Sequence, residues 1–146
     1  MLQLQPHLFY SAIIATMAII LLNACGVSPG ASSGATLAGT QWLLTGLEQN
    51  GVEQPLVQGT KLTLQFGDGT VGGSAGCNSF GGTYVVNGQN LTISDLRQTL
   101  MACDPPTIMQ QETRYTTALL QAQSFALQGT TLTITNPGGT LRFTRA

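Results

Sequence analysis

Charge is the scarcest property of this 146-residue chain. Five Lys+Arg and six Asp+Glu make up 8% of it, against roughly 25% in an average soluble domain. A protein that binds a phosphate backbone needs a basic surface, so nucleic acid is excluded as a partner. Disorder driven by high charge is excluded as well. Histidine is scarcer still. His7 is the single one, and it lies in the extreme N-terminal segment. If that segment is removed, the chain has no His-based general base, no Ser-His-Asp or Cys-His nucleophile and no His-ligated zinc. The length allows one domain rather than two.

The missing charge is unevenly placed. Every charged residue falls at Glu48 or later, and the leading MLQLQPH has no Lys or Arg. Residues 8–22 (LFYSAIIATMAIILL) are apolar apart from Tyr10, Ser11 and Thr16. That is shorter than the roughly 20 residues a membrane-spanning helix requires, and it fits the apolar region of a signal peptide. The run ends in Leu22-Asn23-Ala24-Cys25. This resembles a bacterial lipobox, in which the peptide is cut before the cysteine and the new chain end is acylated. Two alternatives stay open: an uncleaved signal anchor, or a plain secretory signal that leaves Cys25 free. Residues 26–36 (GVSPGASSGAT) are small and Gly/Ser-rich, the composition of a flexible tether. The expected organisation is a lipoprotein signal peptide over 1–24, a tether over 25–36 and a folded domain over 37–146. Lipidation at Cys25 implies an exported protein held to a bacterial membrane, on the outer face of the cytoplasmic membrane or on the outer membrane.

The domain alternates apolar residues with threonine in short runs. In residues 61–66 (KLTLQF), Leu62, Leu64 and Phe66 share one face; LTI recurs at 91–93 and 132–134. Period two with β-branched residues signals half-buried strands. Gly67-Asp68-Gly69, Asn87-Gly88 and Asn136-Pro137-Gly138-Gly139 supply turns between them. Residues 40–47 read as the first strand, and Trp42 is the largest candidate core residue. The fold class expected is mainly β (α+β): an antiparallel curled sheet or half-barrel of about eight strands with one helix packed on it. That helix starts with Asp104 as N-cap and Pro105 at its first position and runs to about Gln123. Ile108, Tyr115, Leu119 and Ala122 form its apolar stripe, and Glu112 falls inside that stripe. A carboxylate facing a core is costly unless it is paired or hydrogen-bonded. Its candidate partners are the backbone of the Gly76-Cys77-Asn78 turn, or Arg97 or Arg142. Asn78 reads as a turn residue capping local backbone.

The cysteine count is three. Lipidation uses Cys25 and leaves Cys77 and Cys103. Outside the cytoplasm a disulfide between them is permitted, and closing that loop would stabilise by roughly 3–4 kcal/mol. The alternative is two buried free thiols. The glycines at 72, 73, 76, 81 and 82 offer a binding loop or a bulged, sharply curved strand pair. No Gly-Lys-Ser/Thr follows them, so they are not a phosphate loop. Asp68 and Asp95 lack a clustered set of oxygens, so no metal and no cofactor is expected.

These elements occur in a recognisable order. Trp42-Leu43 is followed by a strand ending at Phe66 and an Asp-Gly turn. Gly-Ser-Ala-Gly-Cys-Asn then occupies 73–78, with Phe80 and Gly81 after it. Thr99-Leu100-Met101-Ala102-Cys103 comes next, then Met109, Glu112, Tyr115 and Ala118-Leu119, and finally Leu141 and Phe143. The order resembles the META domain family, the HslJ-like lipoproteins, over nearly all of residues 37–143. The resemblance implies a small, mostly β domain with one helix, frequently exported and lipid-anchored. It implies an association with stress or drug tolerance in bacteria and with motility in some protozoa. It supplies no catalytic residues. It implies that Cys77 and Cys103 pair, and it aligns Glu112 with the family's helix glutamate.

Three functions follow from these readings. The first is a non-enzymatic, lipid-anchored envelope module that binds or stabilises an unknown envelope protein or ligand under stress. The second is a carrier of a small hydrophobic ligand inside the curled sheet. The third is an enzyme using Glu112 with Asn78 or a free Cys77.

Overall fold

Alternation in the first strand sets the inside of the domain. β1 (Thr40–Gln49) turns Trp42 and Leu44 inward and Gln41 and Thr45 outward. Its register against the last strand shifts between Leu44 and Gly46. Thr45 is the extra residue, and the bulge changes the inward phase so that Leu47, rather than Gly46, joins the core. In the computed structural model, which describes residues 36–146, eight further strands and one helix follow. They are β2 (Val52–Gln54), β3 (Thr63–Phe66), β4 (Thr70–Ser74), β5 (Ser79–Asn87), β6 (Asn90–Gln98), α1 (Pro106–Leu120), β7 (Ser124–Gln128), β8 (Thr131–Asn136) and β9 (Gly139–Arg145). The apolar run at 8–22, the lipobox with Cys25 and nearly all of the expected tether lie outside the described residues.

Every pairing is antiparallel. The order runs β1-β3-β4-β5-β6-β7-β8-β9, and β9 pairs back onto β1, from Trp42↔Arg145 to Gln49↔Gly139. The curled sheet therefore closes into an eight-stranded barrel. β2 is an extra strand beside the C-terminal half of β1, while β3 holds the N-terminal half of the same edge. Closure leaves no long free edge on β1, which removes a site for unwanted pairing.

One seam of the barrel is not a ladder. β6 and β7 share a single register pair, Asn90↔Ser124. Beyond it, the residues that would face β6 on an extended β7 belong to the last turns of α1 instead. Tyr115, Ala118 and Leu119 of the helix are buried there, together with Ala122 just after it. The helix begins one residue later than the Asp104 cap implies. Pro105 is the N-cap, Pro106 is the first helical residue, and the cap makes no side-chain hydrogen bond. The Asp104–Pro105 peptide is cis. The helix ends at Leu120, earlier than Gln123, because Gln123 already bonds to the sheet through its N–H to Thr135.

Turn chemistry follows the glycines. The β5–β6 turn is Gly88-Gln89, one residue later than Asn87-Gly88, with Gly88 at φ +62° and Asn87 paired to Asn90. The Gly-rich stretch forms the β4–β5 hairpin and a bulge beside it. Gly82 lies opposite two residues of β6, Asp95 and Leu96. A Cβ on Gly82 would stand 2.7 Å from the Ser94 carbonyl oxygen. Only glycine lets β6 come that close.

Candidate functional site

The sequence-derived residues Asn78, Glu112, Cys77 and Cys103 converge at one rim of the barrel. The start of β3, the end of β4, the start of β5, the end of β6 and the N-terminal half of α1 meet there. Glu112 is 1% exposed, as is Asn78. The backbone N–H of Asn78 donates to Glu112 Oε2 at 2.7 Å, and Asn78 Nδ2 donates to Oε1 at 2.8 Å. Gln98 Nε2 donates to the same Oε1 at 3.2 Å. The turn backbone is thus the partner expected for Glu112. The arginines are not: Arg142 pairs with Glu48 and Glu53, and the third donor is Gln98.

Asn78 does more than cap its own turn. Its Nδ2 also donates to the Met101 carbonyl at 3.0 Å. Its Oδ1 accepts from Thr99 Oγ1 at 2.7 Å and from the Met101 N–H at 2.8 Å. Both amide hydrogens and both lone pairs of the carboxamide are therefore used. One side chain joins β5, the strand-to-helix loop and α1. The Cys77–Cys103 disulfide closes across the same loop, with the Cα atoms 6.1 Å apart.

As chemistry, this is an anchor. A catalytic carboxylate must reach a proton on a substrate, whereas both Glu112 oxygens are taken and buried. Cys77 is oxidised and is no nucleophile. The enzyme built on Glu112, Asn78 and a free Cys77 loses its parts. Among the described residues no buried side-chain nitrogen or oxygen lacks a partner.

The barrel axis is occupied in the same thorough way. Trp42, Leu64, Leu91, Tyr115, Leu132, Ile134, Leu141 and Phe143 are fully buried. Trp42 Nε1 donates to Thr40 Oγ1 at 2.7 Å, and the Arg145 guanidinium lies 4.8 Å from the Trp42 ring. Tyr115 packs edge-on against Phe80 and tilted against Phe143, and its hydroxyl donates to the Thr63 carbonyl at 3.0 Å. This filling counts against the hydrophobic-ligand carrier.

Burial raises the Tyr115 hydroxyl well above its ordinary pKa of 10.0. Tyr84, half-buried beside Asp68, is raised by burial first and by that carboxylate second. A tyrosine raised on folding binds its proton more tightly in the folded state. Its contribution is complete below pH ~10 and disappears as pH rises toward the folded value. Folding stability should therefore fall above pH ~10, by up to about 1.4 kcal/mol per pH unit for Tyr115, while the more open Tyr84 adds little because solvent screens it. Tyr115→Phe should flatten that fall while costing about 1 kcal/mol at neutral pH. Urea titrations at pH 7 to 11 measure both.

Outside the barrel, a shallow open groove of about 250 Å³ runs over β4, lined by Gln65, Gly67, Thr70, Val71, Gly72 and Gly73. It offers backbone, hydroxyl and amide groups and no ionisable side chain. Asp68 lies in the β3–β4 turn and Asp95 in the β6 bulge, where it accepts from Thr83 Oγ1 at 3.1 Å.

Comparison with known proteins agrees with this fold. A family model of the META domain matches residues 35–146. No curated protein matches the chain. Among solved structures, an NMR structure of a protein from Burkholderia xenovorans is similar, with a TM-score of 0.68 and 28% identity over 75% of this chain and 83% of that one. A second NMR structure has a TM-score of 0.59 at 23% identity, over 74% of this chain and 90% of that one. A crystal structure of a DUF4847 family protein from Bacteroides vulgatus has a TM-score of 0.56 at 15% identity, over 74% and 93%. The last two bear on fold alone. With a closed barrel, a helix anchored through Glu112 and a family match across the whole described region, the chain belongs to the META domain family.

Proposed function

We propose that this protein is a non-enzymatic module of a bacterial cell envelope, held to a membrane by lipid on Cys25. It binds or stabilises an envelope component under stress. The observation that carries the reading is the pairing of Cys77 with Cys103. A structural disulfide belongs to an oxidising compartment. The pairing also leaves Cys25 as the odd thiol, directly after an apolar run and in a lipobox-like sequence. The saturated Asn78–Glu112 network supports a binding or structural role over a chemical one.

Metabolic labelling with palmitate tests the anchor. The full chain should carry label and sediment with membranes. Cys25→Ser should lose the label and appear in the soluble fraction. An unlabelled protein whose fractionation ignores Cys25→Ser overturns the reading.

A further inference from the structure

Strands that alternate in direction around a closed barrel sort their turns between two rims. The start of β1, the β3–β4, β5–β6 and β7–β8 turns and the end of β9 share one rim. Three contacts tie them together: Gly39 N–H to the Phe66 carbonyl, Tyr84 N–H to the Gly69 carbonyl, and Arg145 N–H to the Thr130 carbonyl. The chain coming from Cys25 thus joins the domain at this rim.

The same rim is poor in charge and carries exposed valines. Tyr84 lies level with the β3–β4 turn, and the β5–β6 hairpin continues beyond it through Val85, Val86 and Asn87. Val85 is 67% exposed and Val86 38%. No charged residue occurs between Asp68 and Asp95 in the sequence, so the whole hairpin tip is uncharged. Asp68, in the β3–β4 turn, and Arg145, whose guanidinium rests on Trp42, are the charged residues of this rim. The Glu48–Arg142–Glu53 ion pairs lie at the opposite rim, beside the β1–β2 turn.

We propose that this rim faces the phospholipid surface and that the β5–β6 tip, through Val85 and Val86, enters the boundary between headgroups and acyl chains. The inference rests on the lipid anchor proposed above. Two valines alone would hold a free protein to a bilayer only weakly. A tethered domain needs no more. Residues 26–36 as a Gly/Ser-rich coil would reach roughly 20 Å, and so short a leash gives an effective concentration in the millimolar range. A weak apolar contact at the tethered rim then orients the domain; Leu100, Met101 and Val52 are exposed too, but at the opposite rim, beside the Glu48–Arg142–Glu53 charges and away from the tether.

The test uses the full lipidated chain in phosphatidylcholine vesicles containing brominated acyl chains. Trp42 is buried and gives a constant background. Val85→Trp should lose at least about half of its added fluorescence to bromine and shift to the blue. Val52→Trp, at the opposite rim and 59% exposed in the parent, should be unaffected. Amide exchange over residues 84–89 should slow roughly tenfold on vesicles, and Val85→Glu should reverse that protection. Equal quenching of both tryptophans, or none at Val85→Trp, overturns the rim assignment. So does a blue shift without quenching that vanishes on dilution, which assigns the tip to a second copy of the chain. If the protein stays on vesicles but the tip is unquenched, the anchor survives and this inference fails. If the protein leaves the vesicles altogether, both fail.

Discussion

Glu112→Ala should remove about 3–5 kcal/mol of folding stability, the largest loss expected from any single polar side chain here. The substitution takes away the acceptor of the Asn78 N–H and of one Asn78 Nδ2 hydrogen, both buried with no access to water. Bonds to a carboxylate contribute about 1.5–3 kcal/mol each, and a stranded buried donor costs about 1–3 kcal/mol. Gln98 is exposed and recovers water, so its bond adds little. Glu112→Gln keeps the shape but turns an amide NH2 toward a donor, and should cost about half as much. The single tryptophan, Trp42, sits in the core and reports unfolding cleanly. Urea titration of the oxidised variants gives the numbers. A loss below about 1 kcal/mol for Glu112→Ala would show that the carboxylate is not the anchor of the helix.

Removing the disulfide should come next in size. It closes a loop spanning 26 residues of sequence separation, and the chain-entropy relation gives about 3.5 kcal/mol for that length. Cys77→Ala with Cys103→Ala should lower the melting temperature by roughly 15–20 °C for a domain of this size. The loss should not add to that of Asn78→Ala. Both the bond and the carboxamide hold the same segment, residues 99–103, against the start of β5. Once one is gone, the other holds a loop that is already loosened. A double-mutant cycle should show a coupling of about 1 kcal/mol or more, whereas strictly additive losses would separate the two features.

These two predictions grow from features that read differently in the sequence. Glu112 was legible because a charge inside an apolar helical stripe has few physical solutions, and the nearby Gly-Cys-Asn turn was among them. The choice between that turn and Arg97 or Arg142 was not legible. It depends on Arg142 being drawn to Glu48 and Glu53 by the β1–β9 register, a pairing of residues about 90 apart in sequence. Asn78 shows the same limit. Its local signature is that of a turn cap, yet its side chain reaches Met101 because the β5–β6 hairpin folds the chain back on itself.

The strands were legible wherever apolar residues alternated with threonine, as in residues 61–66 and 131–135. β2 was missed. It is three residues long, too short for any period, although Asn50-Gly51 before it is a strong hairpin signal and adopts positive φ at both positions. That the sheet curls was legible, but the choice between a closed barrel and a half-barrel was not. Nothing in β1 or β9 alone distinguishes two edges that meet from two that stay apart. The helix start slipped by one residue because Asp104 precedes two prolines, and the second of them takes the first helical position.

The β1–β9 ladder has a consequence for how the domain is made. β3 covers one edge of β1 early, but the other edge waits for Gly139–Arg145. A chain that emerges N-terminus first cannot satisfy that edge until β9 has emerged, some ninety residues after β1. During that interval β1 presents unpaired amides and a bare Trp42, the features that recruit stray strands. Closure of the barrel must therefore wait for the seven residues of β9, however early the rest of the sheet has paired.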